Sequence, residues 1–123
     1  MSTMFEAYWE LLSLEYQLFR KDFAAIYDRV RRTPLGTRKS NPLACAQMCE
    51  AVDLAAVLYF RKVLCLQRSA ATACLLKKHG FSVQLVIGVR YLPFVAHAWV
   101  ELDGLVLNDK PYMSEIYSVL ARC

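Results

Sequence analysis

No stretch of this chain is long and apolar enough to span a membrane. The longest apolar run, AVDLAAVLYF, is interrupted by Asp53 and ends at Arg61, far short of the ~20 residues a span needs. No basic-then-apolar signal peptide opens the chain. Without one, its five cysteines argue for a reducing compartment rather than a disulfide framework, so a cytoplasmic protein is expected. Internal repeats and low-complexity tracts are also missing. Cys45 and Cys49 lack the two-residue gap of a zinc knuckle and have no second Cys/His pair nearby. They are expected to be packing residues, and no metal or cofactor is expected. Histidine is scarce: only His79 and His97 are present, which leaves two possible seats for imidazole chemistry.

What is present is oily. Of 123 residues, 57% are hydrophobic and 12% aromatic. That length suits one domain, residues 1–123, burying about two-thirds of its unfolded surface. Apolar surface in excess of a core's needs points to a partner interface. The net charge is +4, and Arg29, Arg31, Arg32, Arg38 and Lys39 fall in one short stretch. A solvated linker between helices is the preferred reading of that stretch; no nucleic-acid partner is expected.

Residues 4–30 read as one long helix, because Tyr8, Leu12, Tyr16, Phe19, Phe23, Ile26 and Val30 recur at steps of three and four. Pro34, Gly36 and Pro42 punctuate the break that follows. A second helix is expected from about Leu43 to Phe60, and a third from Cys65 to a stop at Gly80. Lys77 and Lys78 in the last turn and the glycine beyond are the usual stop signals. The period then changes to two. SVQLVIGVRY, PFVAHAWVEL and GLVLND read as three strands, with Tyr91-Leu92-Pro93 and Asp103-Gly104 as the turns. The tail, PYMSEIYSVLARC, reads as a short helix or a loop. Helices first and a meander afterwards make an α+β fold: N-terminal helices on a small antiparallel sheet. Residues 1–60 form the helical part, 61–110 the catalytic helix and meander, and 111–123 the tail.

One set of residues stands out as chemistry. Cys65 opens the third helix, where free N–H groups and the positive end of the helix dipole favour a thiolate. His97 lies on the second strand and Asp109 ends the third. Cysteine, histidine and carboxylate in that order suit a nucleophile, its base and the group that orients the base. Cys74 is expected in the core, Cys123 frayed, and His79 at the surface capping a helix end. Alternation puts Val95, His97, Trp99 and Glu101 on one strand face; Ala96 and Ala98, on the other, let helix and strand approach closely. Trp99 reads equally well as a cleft wall and as core. Glu101 is expected to be solvated. Arg68 shares a helix face with Cys65 and suits structural support more than substrate contact, and Gln67 could donate to an oxyanion.

The same segment carries a family resemblance. CLQRS, LLKKHG, VIGVR, PFVAHAWVE and GLVLND, contiguous over about residues 61–110, resemble the leader peptidase of lasso-peptide biosynthesis, a transglutaminase-like cysteine protease. The spacings fit that family's triad: 97 − 65 = 32 residues from Cys65 to His97, and 109 − 97 = 12 from His97 to Asp109. The resemblance implies removal of a leader from a peptide precursor ahead of ring closure by a separate ATP-using cyclase. Some members fuse a small leader-recognition domain in front. The first sixty residues here look helical instead, which resembles the split form, with recognition on a second protein. Two other readings stay open: acyl transfer to an amine rather than water, and a largely non-catalytic scaffold for the maturation complex.

Overall fold

The computed structural model describes residues 3–19, 23–33, 42–59, 65–91, 94–102, 105–107 and 113–123. In order they form α1 (Thr3–Phe19), α2 (Phe23–Arg32), α3 (Pro42–Leu58), α4 (Cys65–Lys78), β1 (Val83–Tyr91), β2 (Phe94–Leu102), β3 (Leu105–Val106), α5 (Met113–Ile116) and β4 (Ser118–Arg122). The strands make one antiparallel sheet in the order β3-β2-β1-β4. The expected α+β architecture is what the chain adopts.

α4 is the central rod. Alanines 70, 71 and 73 and Ser69 are buried along it, and side chains this small let neighbours close in on every side. α1, α2 and α3 pack against it, and β1 and β2 against another side. One apolar core joins these elements through Leu11, Leu14, Ile26, Val52, Leu76 and Leu85. α4 stops as its sequence foretells. Gly80 takes a left-handed φ of 93°. Its N–H donates to the Lys77 carbonyl at 3.0 Å and that of Phe81 to Leu76 at 3.0 Å, the paired bonds of a Schellman cap.

Charges tie the helices together. Glu10, 2% exposed, accepts from Arg29 of α2 at 3.2 Å and from Lys78 of α4. Two cations on one buried carboxylate keep its charge compensated. The buried Lys77 ammonium donates to the Val30 and Cys123 carbonyls at 2.8 and 2.6 Å, and desolvation lowers its pKa.

Several expectations need correcting. The single helix over residues 4–30 is two, α1 and α2. Apolar spacing continues across the junction, so periodicity cannot register the break; Asp22, a residue type favoured just ahead of a helix, is the signal that could have. The tail holds both a short helix and an edge strand. Cys123 is not frayed: its N–H donates to the Leu85 carbonyl at 2.9 Å. His79 does not simply cap its own helix at the surface; it pairs with Glu6 of α1. Turn residues 92–93 and 103–104 lie outside the described residues, and the pairs that flank them, Tyr91 with Phe94 and Leu102 with Leu105, are in place.

Candidate active site

Cys65 is the first residue of α4. Its side chain is half-buried, whereas Cys45, Cys49 and Cys74 are buried in the core. Burial pushes the Cys49 thiol up to about 12 and raises those of Cys74 and Cys123. Thiols held protonated in this way make poor nucleophiles. Cys65 alone combines partial exposure with a helix start, where the first N–H groups have no partner within the helix.

β2 supplies the histidine. Its inner face, Ala98 and Val100, belongs to the core beneath α4. The Ser69 hydroxyl of α4 donates to the Ala98 carbonyl at 2.9 Å, pinning the first turns of the helix to the strand. A residue larger than alanine there would push the start of α4 outward. The outer face carries His97 and Trp99. Among the described residues β3 pairs with β2 at Glu101 and Leu102, with one further bond from the Leu107 N–H to the Val100 carbonyl at 2.9 Å.

Cys65 and His97 line one cleft of about 300 Å³, together with Leu66, Ile87, Ala96 and Ala98. Its remaining side chains are apolar, so a peptide seated there would leave water behind and strengthen electrostatic interactions at the reacting centre. The structure thus brings two of the three expected residues to one place. Asp109 lies outside the described residues.

Behind His97 is a second, smaller core of Val86, Trp99 and Met113, flanked by Val106, Tyr117 and Val119. The His97 ring stacks on Tyr117 with centroids 5.4 Å apart and planes 24° apart, and on Trp99 at 6.2 Å and 29°. Trp99 is fully buried and stacks on the imidazole from within this core. Its indole N–H donates to Glu101 at 2.8 Å, and Arg122 lies 3.5 Å from the other carboxylate oxygen. Glu101, expected in solvent, is therefore buried and paired.

Arg68 sits 3.7 Å from the Asp53 carboxylate of α3. Gln67 is buried, and its amide donates to the Leu11 carbonyl of α1 at 3.0 Å. That amide joins α4 to α1 and is not offered to the cleft. Tyr117 was not anticipated; only the alternation of Tyr117 and Val119 hints that the tail returns to an outer sheet face.

A larger groove of about 630 Å³ lies between α1 and α4, lined by Phe5, Glu6, Trp9, Glu10, Leu75 and Lys78. Its carboxylates are paired with His79, Arg29 and Lys78. Its described lining includes no cysteine or histidine, in contrast to the smaller cleft with Cys65 and His97. None of the described helices is long and apolar enough to cross a membrane.

The Microcin J25-processing protein McjB of Escherichia coli is 46% identical over 58 residues. The match takes in 47% of this chain and 28% of that protein, so the chain spans well under two-thirds of its relative's length. No solved structure matches. The family model of the Transglutaminase-like superfamily matches residues 8–122. That match takes in α2–α5 and β1–β4 entirely and α1 from Tyr8 onward, the cleft residues included: the chain belongs to the transglutaminase-like superfamily.

Proposed function

We propose that this chain is a cysteine peptidase that removes the leader from a lasso-peptide precursor, with Cys65 as nucleophile, His97 as base and Asp109 as the group that orients His97. The observation that carries the reading is Cys65, at the start of α4, sharing a cleft with His97. The relative's name, a processing protein of a peptide microcin, supports the substrate class.

In this mechanism the Cys65 thiol gives its proton to His97, and the thiolate attacks the scissile carbonyl carbon. The negative oxygen that forms is held by N–H groups at the start of α4, each such donor worth about 3 kcal/mol of the barrier. His97 returns the proton to the departing amine, and a thioester remains on Cys65. Water, deprotonated by His97, cleaves the thioester and frees the leader. The partners that complete the scheme are a separate leader-recognition protein and a cyclase acting afterwards on the released core. The isolated chain is then a slow enzyme that gains activity with its recognition partner.

The test is mass spectrometry of precursor incubated with the chain and its recognition partner. Wild type yields free leader and core. Cys65→Ala and His97→Ala yield neither, while Asp109→Ala retains part of the rate; a Cys65→Ala protein that processes at the normal rate overturns the reading. The superfamily assignment favours a second reading, transfer of the acyl group to an amine. A cross-linked adduct in place of free leader would establish it. A thiol-directed probe separates both from a non-catalytic scaffold: an active site labels Cys65 ahead of the other four cysteines.

A further inference from the structure

Across the sheet from His97, at the partner position on β1, is Gly88. A Cβ placed there would meet the Trp99 ring at 2.7 Å and the Tyr117 Cβ at 2.9 Å. Those are separations real Cβ atoms do not tolerate, so the missing side chain is the space these two residues occupy. β4 is shaped to the same end. Its register against β1 shifts between Ile87 and Gly88, leaving Leu120 as an extra residue opposite that step. A bulge of this kind re-aims neighbouring side chains. Beyond it Val119 falls opposite Gly88, and Tyr117 and Val119 both pack into the outer core. The Tyr117 backbone is fixed by its N–H bond to Met113 at 3.0 Å, and Arg90 lies 5.9 Å above its ring.

We propose that Tyr117 and Gly88 are positioning residues for peptide cleavage: Tyr117 clamps the His97 imidazole against the Trp99 side, and Gly88 provides the room that lets the clamp close. The inference rests on His97 being the base. The stack fixes the tilt of the imidazole plane. It also explains why an aromatic, a bulge and a glycine converge beside a histidine that lines the cleft. A displacement of about 1 Å in such a group can lower turnover on the order of 10²-fold.

Two measurements on the full-length chain test it. The first is the proton NMR signal of the His97 ring, readily assigned because the chain has only two histidines. Stacking between two aromatic rings shifts that signal upfield. The shift should shrink in Tyr117→Ala, persist in Tyr117→Phe and change in Gly88→Ala. The second is steady-state cleavage of precursor in the presence of the recognition partner. Tyr117→Ala and Gly88→Ala should lower kcat by about ten-fold or more with KM little changed, and Tyr117→Phe should restore the wild-type kcat. Melting curves confirm that each variant is folded. Wild-type kcat in folded Tyr117→Ala and Gly88→Ala overturns the proposal, as does an unmoved His97 signal in both. A change mainly in KM also overturns it, because it would mean that Tyr117 binds substrate. If wild type itself cleaves nothing while the ring shift still depends on Tyr117 and Gly88, the peptidase reading falls and the clamp stands.

Discussion

On one face of β2, Ala98 and Val100 meet α4; on the other, His97 and Trp99 meet Tyr117. On the inner face the small Ala98 lets the strand accept a helix at close range and a hydroxyl–carbonyl bond, Ser69 to Ala98. The outer face is built from large rings and an ion pair between buried Glu101 and exposed Arg122. The two faces serve one cleft differently. The first sets how near the start of α4 comes to the strand; the second sets how the imidazole is held. Variants on each face should therefore fail in different ways.

The largest expected effect is on the outer face. Trp99→Ala empties a fully buried ring site and removes the indole donor to Glu101, costing about 3–5 kcal/mol. In a chain of this size that lowers the melting temperature by roughly 10–20 °C. A melting temperature within a few degrees of wild type would mean that the outer core contributes little, and the contrast between the faces would lose half its content.

Next come the inner-face alanines, which differ from each other. Ala98 is 3% exposed, so Ala98→Leu overfills the joint with α4 at a cost of about 1–3 kcal/mol. It should also move Cys65 away from His97 and lower peptide cleavage. Ala96 lines the cleft but is exposed. Ala96→Leu should change stability by no more than about 0.5 kcal/mol while filling the cleft and raising KM. Equal stability losses at the two positions would show that α4 does not seat on Ala98. Ser69→Ala, which removes the hydroxyl but not the packing, should cost about 1 kcal/mol in urea unfolding.

The inner face was the more legible in sequence. Alternation through PFVAHAWVEL places small residues on one side and His97 and Trp99 on the other, and α4 follows from its cysteine start and Gly80 stop. The outer face was not legible, because what covers it comes from elsewhere in the chain. Tyr117 returns by way of a strand that follows a four-residue helix and needs a bulge to keep its phase, and neither leaves a periodic signal of useful length. Glu101 reads as solvated until Arg122, twenty-one positions on (122 − 101), is seen beside it. Gln67 sits two residues past Cys65 along α4, yet its amide reaches α1; sequence proximity to a nucleophile does not fix the direction of a side chain. The register that pairs Leu102 with Leu105 and Glu101 with Val106 would, if continued unbroken, set position 109 opposite Ala98 instead of His97. The backbone bends at Leu107. Comparing Asn108→Ala with Asp109→Ala therefore sharpens the assignment of the orienting group: only the latter should lower turnover.

Alkaline pH offers the gentlest way to separate the two sides of the sheet. Cys45, Cys49 and Cys74 all belong to the core on the α4 side, and the described outer core contains no cysteine. The Cys49 thiol ordinarily titrates near 9.0 and is pushed up to about 12 by burial, with Asp53 adding to the rise. Between those values the folded protein keeps a proton that the unfolded chain releases. The native state then binds more protons, so stability falls as pH rises from about 9. For one such thiol the loss is ~0.4 kcal/mol at pH 9, growing by at most ~1.4 kcal/mol per further unit. Cys74 acts in the same direction. Lys77, whose pKa is lowered by burial, acts in the opposite sense, because there the unfolded chain holds the extra proton. Cys49→Ala should flatten the decline in melting temperature between pH 8.5 and 10 relative to wild type. An equally steep decline in that variant would move the alkaline weakness away from the helix-side core, and with it the claim that the two faces respond to different chemistry.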